Sequence, residues 1–274
     1  MRGGLRDLDV RTRNNVTITG REDGPVVMLA HGFGCDQNMW RLVAPALAEN
    51  ARVVLFDYVG AGDSDLSAWS RQRYSSLDGY ADDVLEICRE LDLRRVVLVG
   101  HSVSAMVGVL AALREPERFA GLVLLTPSPR YTDDDGYRGG FSEADIDELL
   151  ESLDSNYLGW SAATAPMIMG TPDRPELEEE LTSSFCRTDP EIARVFAHAT
   201  FRSDNREDLP GVTAPTLVVE CAQDVLAPPE VGAFVHASIP GSRLVTLDAT
   251  GHCPQLSAPE PTARAIASFV AEVL

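Results

Sequence analysis

The stretch "LVGHSVSAM", residues 98–106, decides how this chain is read. An apolar, β-branched run ends at Gly100, a serine follows a histidine, and small residues come next. A buried strand that breaks at glycine into a helix leaves Ser102 on the tight turn between them, where a strained backbone can push a hydroxyl outward. Gly100 and Ser104 are both small, as such a turn requires, although the usual pattern G-x-S-x-G has glycine where this chain has Ser104. The plain alternative is a serine that only caps the following helix.

Runs like the one before Gly100 recur: "PVVMLAHG" from 25, "ARVVLFDY" from 51, "AGLVLLTP" from 120, "APTLVVEC" from 214 and "SRLVTLDA" from 242. Apolar runs without alternation read as strands buried on both faces of a mostly parallel sheet. "VRTRNNVTITG" from 10 alternates and reads as an edge hairpin. Helical spacing fills the gaps at 80–93, 104–114 and 260–274, which gives a doubly wound α/β architecture. From about 131 to 207 no strand is expected. There "SEADIDELLESLDSN" sets Ile146, Leu149, Leu150 and Leu153 on one face, with Ser142 and Asp145 able to cap its start. Helices at 156–169, 174–186 and 190–202 follow, divided by "GTPDRPE" and "RTDPE". The organisation expected is a core over 1–130 and 208–274, interrupted by an all-helical lid over 131–207.

A serine hydroxyl is a weak nucleophile and needs a base, itself held in one tautomer by a third group. Of five histidines, His252 alone follows a late strand, in "LDATGHCPQLSAP", where a loop at the carboxyl edge of the sheet can drop an imidazole beside Ser102. His31, His198 and His236 read as structural, and His101, next to the nucleophile in sequence, should point away from it. Asp224 in "VVECAQDVLAP" follows a buried strand and supplies the acid in the order Ser, Asp, His; Asp248 competes from the last strand itself. Acyl transfer also needs amides aimed at a developing oxyanion. The "HGFGC" loop after the first buried run offers the amide of Phe33, and the turn itself offers that of Val103.

The 274 residues carry 23 basic and 42 acidic side chains, a formal charge of -19, which repels phosphate backbones and anionic lipid heads. Nucleic acid and membrane are therefore not expected partners. No run reaches the ~18 apolar residues of a span and the first residues lack the apolar segment of a signal peptide, so a cytoplasmic protein is expected. The five cysteines, Cys35, Cys88, Cys186, Cys221 and Cys253, are odd in number and widely spread, as for reduced thiols rather than a disulfide frame or zinc site. No G-x-G-x-x-G or Walker loop and no metal-ligand spacing occurs, so no metal or organic cofactor is expected.

With these residues in hand the chain resembles the α/β-hydrolase superfamily, and within it an RsbQ-like subgroup that holds a bacterial stress regulator and the plant strigolactone and karrikin receptors. The resemblance rests on "HGFGCDQNMW", "FDYVGAGDSD", "RYSSLDGYADDV", "GHSVSAM", "YRGGF", "NYLGW", "CRTDPEIARVFA", "FRSDNREDL" and "GHCPQLSAP". It implies a triad of Ser102, Asp224 and His252 beneath a four-helix lid, over an apolar pocket lined by Phe33, Val103, Trp160 and Phe201. It implies a serine hydrolase of small hydrophobic esters or lactones. Two alternatives travel with it: a signalling module that binds a small ligand and a regulator such as a PAS-containing phosphatase, and a carbon-carbon bond hydrolase using the same triad.

Overall fold

The structure is a computed structural model that describes residues 9–274. Seven strands form one sheet in the order β1-β3-β2-β4-β5-β6-β7. They are β1 (Thr17–Gly20), β2 (Val26–Ala30), β3 (Arg52–Leu55), β4 (Val96–His101), β5 (Phe119–Leu125), β6 (Thr216–Gln223) and β7 (Arg243–Thr250). Every pairing from β3 through β7 is parallel, and β1 alone runs antiparallel, with Thr17 opposite Leu55. Successive side chains of a strand point to opposite faces, which is why the β-branched runs build two cores at once. Val27, Val53, Val97, Val123 and Val219 belong to one, Met28, Val54, Leu98, Leu122 and Val218 to the other.

The helices are α1 (Val10–Arg13), α2 (Ala44–Ala48), α3 (Arg71–Tyr74), α4 (Leu77–Glu90), α5 (Val103–Arg114), α6 (Glu143–Ser155), α7 (Tyr157–Met169), α8 (Pro175–Arg187), α9 (Pro190–Phe201), α10 (Pro229–Ser238), α11 (Pro254–Ser257) and α12 (Pro259–Val273). Helices α6 to α9 form the stretch between β5 and β6 in which no strand was expected. Ser142 and Asp145 close a capping box at the start of α6. The two proline-containing breaks place Pro175 and Pro190 at the first positions of α8 and α9, where a missing N–H costs nothing.

Two expectations are corrected. The hairpin at 10–20 does not form: Asp9 accepts from the Arg11 amide and caps a helical turn, Asn15 reverses the chain at φ +45, and β1 pairs with β3 instead. The run in β7 is not buried on both faces but is the outer edge of the sheet, with most of its residues exposed or half-buried.

Candidate active site

Ser102 stands between β4 and α5 with φ +57 and ψ -123, a conformation an L-residue adopts only under constraint. The constraint is local: a side chain on Gly100 would lie 2.2 Å from the Ser104 carbonyl, and the Ser102 amide is held at 2.9 Å by the Leu125 carbonyl of β5. The capping alternative fails, because the Ser102 side chain makes no bond to the amides of α5. Its Oγ lies 2.7 Å from His252 Nε2 instead.

His252 reaches this point on the loop after β7, whose Gly251 takes φ +90 and leaves no room for a side chain against Met169. The His252 amide donates to the Ile168 carbonyl at 2.9 Å, so the last turn of α7 holds the loop from above. Nδ1 donates to Asp224 Oδ2 at 2.7 Å, which leaves the Nε2 lone pair to accept from Ser102. Asp224 Oδ1 accepts the amides of Leu226 at 2.8 Å and Ala227 at 3.1 Å, which fixes the carboxylate on the loop after β6. Asp248, the rival acid, is exposed on β7.

His101 does more than point away. Its Nε2 donates to the His252 carbonyl at 2.8 Å, and Thr126 Oγ1 donates to the same oxygen at 3.2 Å. Burial lowers its pKa from 6.5 to about 3, so the ring is neutral. His31 bridges the Gly32 carbonyl and the Tyr58 amide, His236 bonds Ser242 and His198 pairs with Asp154, all outside the triad. Ser104 proves to be a joint as well as a small residue: its hydroxyl donates to the His31 carbonyl and meets the Tyr58 hydroxyl at 2.9 Å, which ties the turn to the loops after β2 and β3.

Among the described residues neither the Phe33 nor the Val103 amide donates to a protein acceptor, and each belongs to a loop or helix start beside Ser102. Such a pair of free N–H groups can receive an oxyanion. The cavity at Ser102 is small, about 20 Å³, room for a water molecule or so. Phe33 and Phe201 line it; Val103 and Trp160 are not among its lining residues. Trp160 lies one layer back, stacked on Phe185 at 5.8 Å, so that Phe185 takes the wall position. Tyr131, Ile168, Leu181, Thr200, Leu226 and Cys253 are also among its lining residues and were missed. Burial pushes the Tyr131 phenol and the Cys253 thiol well above their ordinary values, so both stay protonated there. All five cysteines are unpaired, and no three His, Cys, Asp or Glu residues among those described are placed to hold a metal ion.

Residues 26–265 match the Alpha/beta hydrolase family. The chain is similar to the Karrikin insensitive 2 receptor CA of Petunia hybrida, at 38% identity over 92% of this chain and 93% of that one. It is similar at 39% identity to Strigolactone esterase D14 of Arabidopsis thaliana, over 91% and 93% of the two chains. Among solved structures it superposes on a hydrolase from Oleispira antarctica with a TM-score of 0.94 and 44% identity, each chain covered over 96% of its length. The site, the sheet and these matches agree, and the chain belongs to the α/β-hydrolase family.

Proposed function

We propose that this hydrolase cleaves small hydrophobic esters or lactones through an acyl-enzyme on Ser102. The observation that carries the reading is the continuous line from Asp224 through His252 to Ser102, at 2.7 Å for each bond, ending in an apolar cavity. Ser102 Oγ attacks the carbonyl carbon while His252 Nε2 takes its proton. The oxyanion that forms lies against the amides of Phe33 and Val103. His252 returns the proton to the departing alcohol, or to the ring oxygen of a lactone, and Asp224 stabilises the imidazolium in between. Water, activated by the same histidine, then hydrolyses the ester on Ser102. No step calls on a metal or organic cofactor. The test is Ser102→Ala assayed on p-nitrophenyl butyrate: turnover should fall by about four orders of magnitude or more with the fold intact, and unchanged turnover would end the reading.

A second reading has its own support. A relative bears the name of a receptor, and a cavity of about 20 Å³ can be a pocket shut around its contents until a ligand opens it. Under it, the helices α6 to α9 act as a lid whose outer surface reports occupancy to a regulator, a PAS-containing phosphatase being the partner type expected. Co-purification with and without a hydrolysable ester separates the two readings: a regulator retained only with ligand supports signalling, and none retained under either condition counts against it.

A further inference from the structure

Among the buried hydroxyls of the helical insertion two, those of Thr171 and Thr200, stand apart, and of these Thr200 alone lines the catalytic cavity. Ser161 donates to the Tyr157 carbonyl at 2.8 Å, Thr182 to the Glu178 carbonyl at 2.8 Å, and Ser184 to the Gly34 carbonyl at 2.9 Å. These are the ordinary outlets for a helical hydroxyl. Thr200, in the last turn of α9, takes none of them: it is 1% exposed and its hydroxyl has no partner among the described residues. A buried hydroxyl without a partner is rare because it has given up water for nothing. Thr200 is also part of the wall of the catalytic cavity, between hydrocarbon contributed by Phe33, Phe185, Phe201 and Leu226. An acyl group on Ser102 must enter the cavity that Thr200 lines, so a polar atom of the substrate can supply the missing partner.

We propose that Thr200 is a specificity-determining residue that selects acyl groups carrying a hydrogen-bonding oxygen, making the preferred substrates esters or lactones of small oxygenated acids rather than plain hydrocarbon ones. The proposal rests on the hydrolase reading above. The acyl group is the fragment that stays on Ser102, and the cavity must widen to receive it while the alcohol departs. An ether or hydroxyl oxygen close beyond the carbonyl accepts from, or donates to, Thr200. An acyl chain of the same length without that oxygen leaves the threonine as unpartnered as it is in the empty site.

The experiment compares p-nitrophenyl methoxyacetate with p-nitrophenyl butyrate, which match in chain length and differ in one oxygen. The ratio of their kcat/KM values, compared between variants, cancels their different intrinsic reactivities. Thr200→Val keeps the shape and removes the hydroxyl; it should lower the methoxyacetate-to-butyrate ratio about tenfold, one neutral hydrogen bond's worth. Thr200→Ser should keep the wild-type ratio, and Thr200→Ala carries the same expectation as the valine variant should that one fail to fold. An unchanged ratio in the variants without a hydroxyl, or an equal fall for both esters, overturns the role of Thr200 alone. If the wild-type protein turns over neither ester by way of Ser102, the hydrolase reading falls first.

Discussion

Asp83 and Asp224 are both buried among polar partners, and only one of them leads anywhere. Asp83, in α4, is fully buried and accepts from Asn14 at 3.2 Å, the Val59 amide at 3.2 Å, Arg73 at 2.9 Å and the Tyr74 hydroxyl at 2.9 Å. Arg73 continues to Glu86 at 2.9 Å, and Arg13 joins Glu86 at 2.6 Å. Each of these contacts locks one element to another and none opens on a cavity. Asp224 is just as well held, by two amides and His252, but the imidazole passes the interaction on to a hydroxyl that faces open space. The difference teaches how to tell a strut from a reagent. In the strut the carboxylate's four contacts all go to fixed groups; in the reagent one lone pair and one proton remain for a molecule that has yet to arrive.

The sharpest way to break the comparison is Asp224→Asn. The amide turns an N–H toward Nδ1, favours the wrong tautomer of His252 and removes the counter-charge to the imidazolium, so kcat on p-nitrophenyl butyrate should drop by about 10⁴. The urea midpoint should move little. A loss of activity smaller than tenfold would make Asp224 another strut.

Asp83→Ala should show the reverse pattern. It takes an acceptor from the buried Asn14 amide, the Val59 amide and the Tyr74 hydroxyl, while Arg13 and Arg73 keep Glu86, and should cost about 3 kcal/mol in urea unfolding while kcat per folded molecule stays near wild type. An active-site loss without a stability loss would mean that the cluster belongs to the machinery.

Much of this contrast was legible in the chain. The six apolar runs fell on strands β2 to β7, and the loops after β4, β6 and β7 are where Ser102, Asp224 and His252 stand, because strand order in a parallel sheet brings carboxyl ends together. The cavity wall was not legible to the same degree. Whether Trp160 or Phe185 faces the cavity turns on which ring stacks outside the other, and no periodicity within α7 or α8 encodes that. The start of the chain failed for a local reason: "VRTRNN" alternates like a strand, yet Asp9 just before it satisfies the amide of a helical turn. His101 was read as a structural histidine pointing away from Ser102, and its adjacency to Ser102 says nothing of the fold-distant carbonyl of His252 that it reaches.

His101 also gives the comparison a pH axis. Its pKa when folded is about 3 against an ordinary 6.5, so below pH 6.5 the unfolded chain takes up a proton that the folded protein refuses. Its contribution is therefore intact above 6.5 and drains away as the pH falls toward 3, by about 3 kcal/mol at about pH 4. His101→Gln keeps a donor toward the His252 carbonyl and cannot titrate. Urea midpoints at pH 7 and 4 should converge in the variant relative to wild type, and an equal acid sensitivity in both would show that His101 does not stay neutral in the fold.

The smallest effect belongs to a third cluster that resembles Asp83 in its partners and differs from it in solvent. Arg130 lies just ahead of the helical insertion and joins Asp204, near its end, at 2.8 Å, and Glu143, at the start of α6, at 3.2 Å. Arg206 adds Asp204 at 2.7 Å and Asp134 at 2.8 Å, so the two ends of the insertion are stapled to each other. The guanidinium of Arg206 holds the Asp204 carboxyl below the usual range, and the staple is therefore present above about pH 4 and lost in acid. These side chains are partly exposed, water screens them, and Arg130→Ala should cost only about 1 kcal/mol. Salt separates the two kinds of strut: about 1 M NaCl should shrink the Arg130→Ala effect toward zero and leave the Asp83→Ala effect nearly whole, because screening acts where ions can come close. If salt leaves both untouched, the insertion is held at its base by packing, and the ion pairs there only decorate it.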